Sequence, residues 1–147
     1  MVTLKPMNQT QYQQFLDRAI IDFAKDKVDA GTWEEAQSLQ KSQDSFKQLL
    51  PKGLDTDNEH LFVICAQDSM IGYTWLHLDH LGQKSAFIYD LLILEAFQGQ
   101  GYGEKMMQAL EYKAKEMGCV KLSLHVFAHN ERAINLYKKR GFQFRVC

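Results

Sequence analysis

Gln98-Gly99-Gln100-Gly101-Tyr102-Gly103 joins the end of a strongly apolar strand to the start of an amphipathic helix. Lacking Cβ atoms, the three glycines let backbone N–H groups approach an anion closely, and a helix beginning near Gly101 adds the positive end of its dipole. The stretch is a phosphate cradle, with Gln98 placed to close the loop through its amide. Spacing separates the loops that share this chemistry. A Walker A loop ends in Gly-Lys-Ser/Thr, whereas here Gly103 is followed by Glu104, Lys105 and Met106, with no hydroxyl after the lysine. A dinucleotide fingerprint counted from Gly101 and Gly103 would need its third glycine at Met106. What remains is Gln-x-x-Gly-x-Gly.

Outward from the loop, a strand at about Val120 to Val126 is followed by Asn130, Ala133, Leu136, Tyr137, Gly141 and Phe142. The loop and this later pattern, Asn-x-x-Ala-x-x-Leu-Tyr-x-x-x-Gly-Phe, together resemble the GNAT superfamily of acetyl-CoA-dependent N-acetyltransferases, including its small bacterial members. The resemblance is close from Ala86 to Phe142 and elsewhere lies only in element order. It implies an α/β fold with a mixed, mostly antiparallel sheet flanked by helices, whose two central parallel strands splay apart to hold acetyl-CoA.

The same resemblance implies roles for named residues. Gln98, Gly99, Gln100, Gly101, Tyr102 and Gly103 would hold the pyrophosphate. Leu92, Ile93 and Leu94 would pair through their backbones with the pantetheine amides, one N–H polarising the thioester carbonyl, beside a bulge that frees these groups. Asn130 would bond the cofactor, although as an N-cap it would be equally well explained. Tyr137 would protonate the departing thiolate, since a phenol stays protonated at neutral pH; its structural alternative is an aromatic anchor on a buried helix face. Asp90 interrupts the apolar run Phe87, Ile88, Tyr89, Leu91, Leu92, and a buried carboxylate is costly unless used or paired, so it is the candidate base. A hydrogen-bonded structural Asp is the other reading. His125 shares the polar face of its strand with Lys121 and Ser123, while His60, His77, His80 and His129 read as surface, core or loop residues. The acidic residues Asp55, Asp57 and Glu59 read as a solvated loop.

Composition sets the bounds. A chain of 147 residues has room for one domain with a real core, here residues 1–147. Hydrophobic residues at 46% and charged residues at 24% are ordinary for a soluble protein, and no apolar run is long enough for a bilayer. No basic segment precedes an apolar one near Met1, so the expected address is the cytoplasm, with no membrane partner. A net charge of −1 offers no field for nucleic acid. Three cysteines, Cys65, Cys119 and Cys147, form no metal or redox motif and read as reduced thiols. No three histidines have ligand spacing, so no metal is expected.

The expected element order is a first strand at Val2 to Met7 and a helix opened by a Thr10–Gln13 capping box and ended at Gly31. A second helix follows, opened by Thr32–Glu35 and running towards Leu49. Leu61–Ala66 and Met70–Leu78 then form a hairpin turned at Gln67 to Ser69. A strand over Ser85 to Leu94 is apolar enough to be buried on both faces. The next helix carries Tyr102, Met106, Ala109, Leu110, Ala114 and Met117 on one side, and strand 120–126 runs parallel to the preceding strand through a right-handed crossover. Only Gln143 to Cys147 follow Gly-Phe, where the superfamily has a full antiparallel strand, so the last strand is short, the sequence is truncated, or a second copy in a homodimer supplies the edge.

The activity implied is direct transfer of acetyl from acetyl-CoA to a primary amine, on a small molecule or a peptide, with a non-catalytic acyl-CoA-binding or sensor module as the alternative. A sensor would have no use for Tyr137.

Overall fold

The computed structural model describes residues 1–126 and 143–146. The chain divides into two compact units, one made of Met1–Pro6 with the residues from Asn58 onward, the other of Met7–Asp57.

In the smaller unit, α1 (Gln9–Asp29) and α2 (Glu35–Leu49) pack side by side. The box that opens α1 is Asn8 with Gln11, two residues earlier than Thr10–Gln13: Gln11 N–H donates to Asn8 Oδ1 at 2.8 Å and Asn8 N–H to Gln11 Oε1 at 2.9 Å. Asn is a better N-cap than Thr, and takes the place. The expected Thr32–Glu35 box is absent. Thr32 and Trp33 N–H both turn back to the Lys27 carbonyl, wrapping the end of α1 behind Gly31 (φ +75°), so Glu34 is left as N-cap with no side-chain bond. Phe23 meets Trp33 and Phe46 edge-on at 5.5 and 5.8 Å. The fully buried Ser42 hydroxyl donates to the Ile20 carbonyl at 2.7 Å, tying the helices by a polar bond inside an apolar seam.

The larger unit is a six-stranded sheet in chain order. Strands β1 (Val2–Pro6), β2 (Glu59–Ala66), β3 (Ser69–Asp79) and β4 (Ser85–Ile93) pair antiparallel in succession. β5 (Lys121–Val126) then runs parallel to β4, as expected, and β6 (Gln143–Val146) parallel to β5. β6 is parallel where the superfamily pattern has an antiparallel strand. The β2–β3 turn is tight because Gln67 and Asp68 both take positive φ, +50° and +67°, the twist that a two-residue hairpin needs.

Helix α3 (Tyr102–Glu116) supplies the apolar cover of one sheet face: Met106, Met107 and Leu110 pack with Phe62, Ile64, Ile71, Leu76 and Ile88. Met107, absent from the expected stripe, is fully buried. Gly118 (φ +84°) follows the end of the helix. No helix among the described residues is long and apolar enough to cross a membrane.

Candidate active site

Along β4, the antiparallel register with β3 slips once. Trp75 faces Asp90 but Leu76 faces Ile88, so Tyr89 is an extra residue, a β-bulge. A bulge bends its strand and increases the local twist. The effect appears on the other edge of β4, where the ladder with β5 runs only from Ser85↔Lys121 to Ile88↔Leu124. Beyond it β4 continues against β3 to Ile93 and β5 continues against β6 to Val126, so the two parallel strands part into a fork. The expectation of a strand buried on both faces is corrected: Ala86 and Ile88 on one face are buried, Ser85 and Phe87 on the other are partly exposed even where β5 is paired, and every residue from Tyr89 to Ile93 is partly exposed.

The backbone groups facing the fork follow from alternation. Leu94 N–H donates to the Ile71 carbonyl at 2.8 Å, on the β3 side. Donors along an antiparallel edge alternate, so Leu92 N–H also points to β3 and those of Leu91 and Ile93 point into the fork. Leu91 N–H is taken by Asp90 Oδ1 at 2.8 Å, while the Ile93 carbonyl accepts from Gln98 Nε2 at 2.8 Å. Gln98 thus closes the loop through its amide.

Between fork and helix lies a single 3₁₀ turn, Glu95–Phe97. Gln100 Nε2 holds the Ala96 carbonyl at 2.9 Å, and Phe97 packs edge-on against Tyr102 at 6.2 Å. Gly99 and Gly101 have φ of +75° and +83°, and a Cβ on either would meet no atom of the described residues within 4 Å. The loop therefore presents bare backbone to open space. Gly101 is the N-cap of α3 and no side chain caps that end, which suits an anion bound by the first-turn N–H groups. Asp90, Leu92, Ile93, Leu94 and the Gln98–Gly103 loop are gathered at one end of β4, whereas Asn130, His129 and Tyr137 lie outside the described residues.

A second polar group lies on the sheet face opposite α3. Glu59, buried rather than in a solvated loop, accepts from Trp75 Nε1 at 2.9 Å through Oε1 and meets His77 Nδ1 through Oε2. His77 stacks on Tyr89, ring centroids 4.8 Å apart and planes 7° from parallel. Sequence reading missed this group, although Tyr73-x-Trp75-x-His77 alternates with the small and apolar Gly72, Thr74, Leu76 and Leu78, which assigns the first set to one face. His60 stacks on Phe62 instead, and burial pushes it below the ordinary histidine range, with the Glu59 charge opposing and Lys84 reinforcing. Burial pushes the Cys119 thiol up, so it is a poor nucleophile at neutral pH. Among the described residues no group of three or more His, Cys, Asp or Glu is placed to hold a metal.

The model of the acetyltransferase (GNAT) family matches residues 18–142. The chain belongs to this family. The match spans most of both compact units. Two uncharacterised N-acetyltransferases of Bacillus subtilis strain 168 resemble this GNAT chain over nearly its full length. YdgE is 38% identical, covering 95% of this chain and 90% of its own; YycN is 40% identical, covering 97% and 92%. The crystal structure of YycN superposes with a TM-score of 0.95 over 100% of this chain and 95% of that one. The spermidine N(1)-acetyltransferase of Vibrio cholerae is 29% identical over 69% of this chain and 60% of its own.

Proposed function

We propose that this GNAT acetyltransferase moves an acetyl group from acetyl-CoA to a primary amine by direct attack. The observation that carries the proposal is the fork: a backbone edge with Ile93 N–H directed into it, leading through one 3₁₀ turn into a bare glycine loop at a helix N-terminus. Such an edge suits the amide-rich pantetheine arm, and such a loop suits a pyrophosphate. Gln98 to Gly103 would hold the pyrophosphate, and within the Leu92 to Leu94 stretch it is the Ile93 backbone, facing the fork, that would align the arm. Because Leu94 N–H is already bonded to Ile71, Ile93 N–H is the donor assigned to the thioester carbonyl. Asn130 would bond the cofactor. Direct attack, rather than transfer through an enzyme thiol, is consistent with a buried Cys119 whose thiol is pushed up.

A small amine fits the name of the Vibrio cholerae relative, a spermidine acetyltransferase. An alkyl amine is almost wholly protonated at neutral pH, so attack requires that a proton be removed and a cation be drawn to the fork. Asp90, which shares a register position with Trp75 beside the fork, supplies the negative charge and is the carboxylate proposed from the sequence as base. The test is calorimetric binding of acetyl-CoA together with coenzyme A release across a panel of primary amines. Binding with amine-dependent release is expected; a protein that binds no acetyl-CoA would refute the proposal.

Tyr137 is proposed as the acid that protonates the coenzyme A thiolate. Because that thiolate exists only late in the reaction, Tyr137→Phe should lower the single-turnover rate by about 10²-fold while leaving acetyl-CoA affinity nearly unchanged. Equal single-turnover rates in parent and variant would remove Tyr137 from the chemistry.

A further inference from the structure

We infer that His77, oriented by Glu59, is the group that takes the proton from the acceptor amine, leaving Asp90 to draw the cation to the fork. The inference rests on the acetyltransferase reading above and adds a residue pair to it.

Glu59 is the first residue of β2 and pairs in register with His77, yet its side chain is only 6% exposed. A carboxylate so buried is costly unless its oxygens are satisfied. Both are, by donors of different kinds. Trp75 Nε1 can only donate, which commits Oε1 to accepting. Oε2 meets His77 Nδ1, and a carboxylate there favours the tautomer with hydrogen on Nδ1. The lone pair of neutral His77 is therefore on Nε2. The ring itself is 29% exposed on its side chain, and its plane is fixed by the stack on Tyr89. A carboxylate that sets the tautomer, with a second contact that sets the plane, is the arrangement by which a histidine becomes a directed base.

Placement brings the pair to the chemistry. His77 lies opposite Phe87, Phe87 lies opposite Ser123, and the β4–β5 ladder ends one residue further on, at Ile88↔Leu124. His77 is thus one strand in from the apex of the fork, at its level, and Tyr89, stacked on it, is the bulge residue at which the fork begins. A structural tie alone would not require a partly exposed ring at that level. Titratable groups that share this face include Glu59, Asp79, Tyr89, Asp90 and Lys121, and His125 alternates in register with Lys121 and Ser123 on β5.

In the step inferred, an N–H proton of the ammonium passes to His77 Nε2, directly or through one water. The freed nitrogen lone pair forms the C–N bond at the thioester carbonyl carbon, the C–S bond breaks, and its electron pair leaves on sulfur as the thiolate that the acid then protonates; the second N–H proton, acidified by the new C–N bond, leaves nitrogen through water and restores the acid. His77 returns its proton to water.

Glu59→Gln tests this without removing volume. The amide oxygen must still serve Trp75, so its NH₂ faces His77 Nδ1 and forces hydrogen onto Nε2, the wrong tautomer for a base. We expect long-range ¹H–¹⁵N NMR to find Nδ1–H in the parent and Nε2–H in Glu59→Gln. Single-turnover acetyl transfer to spermidine, or to the best amine of the panel, should fall by about 10²-fold in Glu59→Gln and in His77→Ala, with acetyl-CoA affinity unchanged. Added imidazole should restore part of the rate to His77→Ala. If His77→Ala does not fold, His77→Gln replaces it. Parental rates in these variants, or an Nε2–H tautomer in the parent, would overturn the role of His77 and leave the acetyltransferase reading standing. A parent that binds no acetyl-CoA, or acetylates none of the amines, would overturn both.

Discussion

Gly101→Glu is expected to fold and to bind coenzyme A at least about 10²-fold more weakly than the parent. The position is the N-cap of α3, with φ +83° and open space where a Cβ would stand. An L-residue there carries a strain of about 1–2 kcal/mol, too little by itself to unfold a domain of this size. The large effect comes from the ligand side. A carboxylate would occupy the space above the first-turn N–H groups of α3, displace the pyrophosphate and repel what remains of its charge. Gly101→Asn separates the causes, since Asn tolerates the left-handed region and is neutral, so it should keep most of the affinity. Calorimetry on both variants, with circular dichroism to establish folding, measures the difference. Parental affinity in a folded Gly101→Glu protein would show that the phosphates bind elsewhere.

The largest stability effect is expected at Gly72. A Cβ built there would lie 2.0 Å from the Leu92 carbonyl oxygen, 3.0 Å from its carbon and 3.1 Å from Ile93 Cα. All three are backbone atoms, so no rotamer change relieves the overlap, and β3 must move off β4. Gly72→Ala should cost about 3 kcal/mol, the upper end of overpacking penalties, and lower Tm by about 10 °C. Because Leu92 and Ile93 belong to the fork, any variant protein that remains folded should also lose coenzyme A affinity. Thermal unfolding is the decisive measurement, and a Tm within about 2 °C of the parent would mean that the two strands are not so close.

Gly72 also illustrates what the sequence conceals. A glycine inside an apolar strand announces a close approach or a bulge but not which atom it meets, because that depends on register. The local signals are legible: the Gln-x-x-Gly-x-Gly loop, the hairpin turn within Gln67 to Ser69, the break at Gly31 and the parallel step from β4 to β5. Each depends on residues near one another in the chain. Capping boxes were misplaced because Asn8 outcompetes Thr10, and because Thr32 is drawn back into the end of α1. The Glu59–His77 pair joins two strands across a hairpin, and only the pairing of Glu59 with His77 reveals that an acidic residue at the edge of a polar loop is buried. The bulge was anticipated by resemblance, but its location at Tyr89 rests on the slip in register.

That single inserted residue carries a consequence for the evolution of the chain. Without Tyr89, Asp90 and the residues after it would keep step with β3, and β4 would lose the local bend at the point where its ladder with β5 ends. A ladder that ran on past that point would satisfy more of the sheet's own backbone and leave no vacancy for anything else. On the proposed reading catalysis depends on an incomplete ladder, so selection for robustness and selection for activity pull this position in opposite directions. A lineage drifting free of its substrate would be expected to shed the insertion and become a sturdier, inert protein.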